Sequence, residues 1–229
     1  MFKIIPKEEM ITKIESSMEV ELKDMVMMFP DLKEKIIKNM LWGIFSKEFI
    51  YSGKEKENGR YDYVTHFSYQ IIELAENELK KSGETIVKFF DDKVDSIIKN
   101  KSFSVFLDYE DSDVLIEESE KTKDIKEKDL IIAITLPDSG IIFSDYIDGH
   151  WFEDKNQWII EYMDKYEEVK HKMMQKLYNY FVQIGGHGRW IQNDYNGSYV
   201  AQLNMDIGDC GSIFIEARDG EIKGYVDMY

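Results

Sequence analysis

The stretch KNQWIIEYMDKYEEVKHKMMQKLYNYFVQ, residues 155–183, decides how the rest of the chain reads. Trp158, Tyr162, Tyr166, Val169, Met173, Leu177 and Tyr180 recur at steps of three and four, which is one face of a long α-helix. Ile159, Met163, Met174, Tyr178 and Phe181 widen that stripe. Such a stripe is far more often core than a cofactor box. The residues after it supply strand patterns: SYVAQLNM (198–205), SIFIEA (212–217) and IKGYVDM (222–228), with Asp219-Gly220 as a tight turn between the last two. Gly185-Gly186 reads as the stop of the long helix.

Upstream, SFSVFLDY (102–109) alternates Phe103, Val105 and Leu107 as a strand, and DLIIAITL (129–136) is a short β-branched run. Asp138-Ser139-Gly140 then reads as a turn into a second strand, IIFSDYI. The first hundred residues read as helices: 7–28 with Ile11, Ile14, Met18 and Met25; a helix opened at Pro30 and running through Met40, Ile44 and Phe45; and two more near 64–81 and 84–99. GKEKENGR (53–60) reads as a polar loop. The expected class is α+β, with a mostly antiparallel sheet, one long helix and a helical N-terminal region. Residues 1–100 form that helical region, either separate or part of the same domain, and 101–229 the α+β region. A weak repeat links 131–149 to 200–220. Each has a strand, an Asp-x-Gly, an apolar pair ending in Phe143 or Phe214, and a closing Asp-Gly, as two related hairpins would.

Composition narrows the function. The 229 residues suffice for a core without staples, and one cysteine permits no internal disulfide, which fits a reducing cytoplasm. MFKIIPKEEM turns charged after five residues, so no signal-peptide core is expected, and no apolar run is long enough to span a bilayer. The net charge of −16 disfavours nucleic acid, whose phosphates need clustered bases. The charge is uneven: 101–229 carry 26 acids against 13 bases, and the windows 102–120 and 129–154 contain no Lys or Arg. Asp108, Glu110, Asp111, Asp113, Asp145 and Asp148 form a candidate acidic face that would steer a basic protein into contact. The alternative is simple solubility.

The segment 184–214 concentrates the remaining polar signals. Residues 184–229 resemble the C-terminal part of the YwqG-like family, a bacterial domain of unknown function. The resemblance rests on Gly185-Gly186, Trp190-Ile191-Gln192, Asp194, Gln202-Leu203 with Asp206, Gly208-Asp209-Cys210-Gly211, and a last strand from Ile222 to Tyr229. Leu136-Pro137-Asp138-Ser139-Gly140 is similar to the first-half hairpin of that family. His187-Gly188 stands where the family has Tyr-Pro, and Ile207 where it has tryptophan. The resemblance implies an α+β fold of two similar halves and no established reaction. It also implies occurrence near toxin–immunity loci, in keeping with an immunity partner for a basic toxin.

Trp190, Gln192, Asn193, Asp194, His187 and Asp209 are the candidate binding residues. Aromatic, amide and acid on one loop are the composition of a recognition patch, and equally of a plug that fixes the loop to the core. Cys210 with His187 sketches a nucleophile and base, but flanking Asp206 and Asp209 oppose a thiolate. Ser139 lacks a nucleophile elbow. Gly185–Gly188 with Arg189 resembles an anion nest without the lysine of a P-loop. His66, His150, His171 and His187 are scattered, and DYEDSD (108–113) lacks the glycine of a calcium loop. No catalytic residue, metal or cofactor is expected. Three readings follow: an immunity-type binder of a basic protein, a small-molecule binder or enzyme with a cleft between the two β halves, and a structural adaptor docking through its N-terminal helices.

Overall fold

A computed structural model describes residues 2–48, 62–85, 88–108, 113–119, 130–150, 153–189, 198–207 and 211–228. The elements run β1 (Phe2–Ile4), α1 (Lys7–Val20), α2 (Lys23–Met28), α3 (Leu32–Lys38), β2 (Leu41–Ser46), β3 (Asp62–Ser68), α4 (Gln70–Ser82) and α5 (Asp92–Ile98). There follow β4 (Ser102–Asp108), β5 (Asp113–Ser119), β6 (Leu130–Thr135), α6 (Ser139–Phe143), α7 (Gln157–Tyr178), β7 (Val182–Gly185), β8 (Ser198–Ile207), β9 (Gly211–Arg218) and β10 (Glu221–Met228). The class is α+β, as the patterning predicts. A seven-stranded sheet has the order β1-β6-β2-β7-β8-β9-β10, and a smaller sheet the order β3-β4-β5. Among the described residues only the β1–β6 pair is parallel.

Inner strands of the large sheet are covered on both faces. Every residue of β7 is buried, and all of β9 except Arg218. Two-sided burial explains why DLIIAITL and SIFIEA read as continuous apolar runs rather than alternations. Part of that cover is the small sheet: Thr65, His66 and Phe67 of β3 close against Ile184, Leu203 and Ile215. At the edge, Gly224 of β10 lies under Val114 and Ile116 of β5, where a Cβ would stand 2.4 Å from Val114 Cγ1. One hydrophobic core runs from Met10 to Ala217. Residues 1–100 therefore share both the core and the large sheet with 101–229. Among the described residues no helix is long and apolar enough to cross a membrane.

Several expected elements change type. The helix expected through Phe45 ends at Lys38, where the Asn39 side chain donates to Lys35 O, and Leu41–Ser46 is a strand between β6 and β7. Residues 64–68 belong to β3, not to the helix that follows. The expected hairpin over 131–149 is β6 followed by the short α6 and a single 3-10 turn, Ser144–Tyr146. β6 already has β1 on one side and β2 on the other, which leaves no edge for a hairpin partner. The likeness of 131–149 to 200–220 is therefore not a shared hairpin. Gly185-Gly186 does not end the long helix: α7 stops at Tyr178, and β7 intervenes. β5, within the acid-rich window 102–120, carried no apolar alternation strong enough to be read. The hairpin β9–β10 around Asp219-Gly220 is as expected, with both turn residues at positive φ.

The long helix is present, and its buried face joins Tyr166, Val169 and Leu177 of the expected stripe to Ile159, Met163 and Met174, which widen it. Ile159, Met163, Tyr166, Val169, Lys170, Met174 and Leu177 are buried, whereas Trp158 is 48% exposed. A lysine thus occupies the middle of the core-facing stripe.

Candidate functional site

The described part of the candidate site begins where β7 ends. Gly185 (φ +67°) and Gly186 (φ +76°) turn the chain through the left-handed region, which glycine adopts without steric cost. Space also demands glycine at both: a Cβ on Gly185 would lie 2.8 Å from Phe89 O, and one on Gly186 2.6 Å from Thr135 Oγ1. The Gly186 N–H donates to Phe89 O at 2.8 Å, and the His187 N–H to Thr135 Oγ1 at 2.8 Å. Thr135 Oγ1 in turn donates to Leu41 O at 3.0 Å. The Gln183 side-chain amide donates to Gly185 O and His187 O, and Arg189 N–H donates to the Gln202 side chain. This network binds residues 185–189 to β6, β2 and β8.

His187 lies 2.7 Å through Nε2 from Asn39 O. A carbonyl only accepts, so Nε2 carries a proton in this arrangement. Burial pushes its pKa below the usual 6.5, with Asp138 pulling the other way. His187 is therefore a neutral tie between β7 and the end of α3. The backbone groups of Gly186 and His187 that an anion nest would use are spent on Phe89 O and Thr135 Oγ1.

Beside His187 opens a cleft of about 410 Å³, lined among others by Lys38, Asp91, Asp138, His187, Ser198 and Tyr199. That volume falls in the range of small-molecule sites. Asp91 accepts from Val94 N–H and caps α5, so one of its oxygens is engaged. Asp138 ion-pairs with Lys170, whose side chain is 7% exposed and also meets Glu167 at 2.8 Å. Burial alone would lower the Lys170 pKa, but the two carboxylates outweigh it and hold it above its ordinary value. Glu167 also accepts from the Ser139 N–H at 2.6 Å and so starts α6. Burial pushes the nearby Tyr178 hydroxyl up to about 12, and the Arg189 guanidinium lies 5.1 Å over its ring. Asp138, Glu167 and Lys170 are matched to one another inside the protein, the arrangement of a structural tie. Among the described residues no group of three or more His, Cys, Asp or Glu side chains is placed to hold a metal ion.

Of the candidate binding residues, only His187 is described. Trp190, Gln192, Asn193, Asp194 and Asp209, and also Cys210, lie outside the described residues. Of the candidate acidic face, Glu110 and Asp111 lie outside as well. Asp108 does not belong to that face: it is 1% exposed, opposite Asp113 in the β4–β5 register. Asp113 is exposed. Asp145 and Asp148 are exposed on other elements, paired with Lys35 at 3.0 Å and Lys155 at 3.1 Å. The sequence reading missed Asp138, Glu167 and Lys170 as a unit. Its one signal was a lysine four residues from both Tyr166 and Met174, inside an apolar stripe.

No protein-family model, no curated protein and no solved structure matches this chain. These comparisons lend no support to the expected likeness to the YwqG-like family. Of the residues quoted for it, Gln202 and Leu203 are on β8 and Ile222 on β10.

Proposed function

We propose that this chain is a non-enzymatic, cytoplasmic protein-binding module of the immunity or antitoxin type, which neutralises a basic toxin. The observation that carries the reading is where the charge lies. The buried cation Lys170 is matched by Asp138 and Glu167, while Asp113, Asp145, Asp148, Glu161, Asp164 and Glu168 are exposed to solvent. A net charge of −16 displayed on the surface attracts a cationic protein and speeds its encounter, and it repels a phosphate backbone. The test is an affinity pull-down of the tagged chain from its own cell lysate at low and high salt, read by mass spectrometry. One stoichiometric basic protein, lost at high salt, is expected. Recovery of the bait alone under both conditions refutes the reading.

The cleft beside His187 favours a second reading, a binder of a small polar molecule. It predicts a reproducible mass increment in native mass spectrometry of the purified chain, abolished by Ile141→Trp at the cleft wall. An unliganded mass throughout removes it.

A further inference from the structure

A second surface has features that the overall charge does not explain. Met27 and Met28 end α2 with 71% and 56% of their surface exposed, and Trp158 at the start of α7 has 48%. Single exposed apolar residues need no explanation, but these belong to one framework. Phe29, next in the chain to Met28, is 2% exposed, and its ring stacks on Trp158 at 6.3 Å between centroids with 22° between planes. Phe143, Tyr146 and Tyr162 close around Phe29 edge-on at 5.1, 4.8 and 5.4 Å. Trp158 is thereby held rigidly at the surface with one face covered. Tyr146 is fixed in turn, its hydroxyl donating to Asp31 at 2.9 Å and the Lys35 ammonium 4.3 Å from its ring. The corner between α1 and α2 is tied to α7 by Glu21–Lys172 at 2.9 Å and Asp24–Lys165 at 4.0 Å.

A tryptophan stacked on Phe29, with two exposed methionines immediately before Phe29 in the chain, has the composition of a binding hot spot. The charge around it is one-sided. Glu161 lies one helical turn from Trp158 and is exposed, as is Asp164 a turn further, and neither is in an ion pair among the described residues. The local cations Lys35 and Lys165 are used by Asp145, Asp31 and Asp24. Lys23 is the one cation on α2.

We infer that Met27, Met28 and Trp158 form a docking surface for a segment of a partner protein that carries apolar anchors flanked by Lys or Arg. Charge complementarity selects this occupant. A second copy of this chain, itself at −16, would bring carboxylates against Glu161 and Asp164. The inference rests on the protein-binding reading above and locates its contact.

The test uses the full chain with 13C-methyl methionine, the Met27 and Met28 signals assigned through Met27→Leu and Met28→Leu. The probe is a synthetic amphipathic helix of leucine and lysine, with a leucine–glutamate helix as control. Saturable shifts of both methyls with the lysine probe alone are expected. Met28→Lys should weaken binding about tenfold or more, the scale of a hot-spot loss, and Glu161→Lys should weaken it as well. Both positions are exposed, so unchanged circular dichroism accompanies the loss. Equal shifts with the glutamate helix, no shift with either, or unaltered affinity in Met28→Lys overturns the inference. So does a dimer in sedimentation that Met28→Lys dissociates. If the lysate yields a basic partner that Met28→Lys still binds, this surface falls and the acidic-module reading stands. If the lysine probe binds as expected and no partner is recovered, the surface stands and that reading falls.

Discussion

Lys170→Met removes the one cation in the buried stripe of α7 while nearly keeping its volume. Two carboxylates, Asp138 and Glu167, then face each other without it. Breaking a buried pair by deleting one partner costs about 3–5 kcal/mol. Here the side chains of Asp138 and Glu167 keep 29% and 38% exposure, so water screens part of the repulsion. Glu167 also keeps its bond from the Ser139 N–H. The expected loss is therefore about 2–3 kcal/mol, below the fully buried case. For a chain of this size that lowers Tm by about 4–12 °C. Urea unfolding should report it as a shifted midpoint at unchanged slope. Asp138→Asn in the same chain should recover part of the loss, because it relieves the repulsion. The sign of the pH dependence follows from the raised pKa of Lys170. Its contribution is complete below the ordinary lysine value of about 10.4 and is lost only as pH rises through the higher folded value. A loss below about 1 kcal/mol, the value of an exposed pair, would refute the claim that this triad holds α6 and α7 together.

The remaining perturbations test the cleft wall and the junction of the two sheets. Because burial lowers the pKa of His187 in the folded chain, the unfolded chain takes up its proton first; stability is complete above about pH 6.5 and falls as pH drops from there toward the folded value. His187→Gln, which keeps a donor toward Asn39 O, should flatten the fall in Tm between about pH 7 and 5, and an equally steep fall in the variant would remove His187 as its source. Gly224→Ala places a Cβ 2.4 Å from Val114 Cγ1 and should cost about 1–3 kcal/mol in urea unfolding, with Val114→Ala in the same chain restoring much of it. Additive effects of the two substitutions would mean that β5 does not press on β10.

Local periodicity determined a definite part of this protein. Steps of three and four made 155–183 a helix, alternation made 102–108 a strand, and Asp219-Gly220 made the last hairpin, because each signal is set by neighbours within one or two turns of chain. The α+β class and the excess of surface acid follow from the same local reading. Tertiary structure decided the rest. Met40, Ile44 and Phe45 satisfy a helical pattern as well as a strand, and the hydrogen bonds offered by β6 and β7 settled Leu41–Ser46 as strand. IIF after Asp138 had strand propensity, yet both edges of β6 were occupied, so it coiled into α6 with Glu167 accepting from Ser139 N–H. His187 was legible as a polar residue in an unusual glycine run; its lowered pKa comes from burial in the folded chain, and its partner Asn39 O lies 148 positions away. Lys170 looked like a break in an apolar stripe, and only the fold brought Asp138 and Glu167 to it. Apolar spacing records which residues avoid water, whereas pairing and charge matching depend on which distant segment arrives beside them, and that is fixed only when the chain closes on itself.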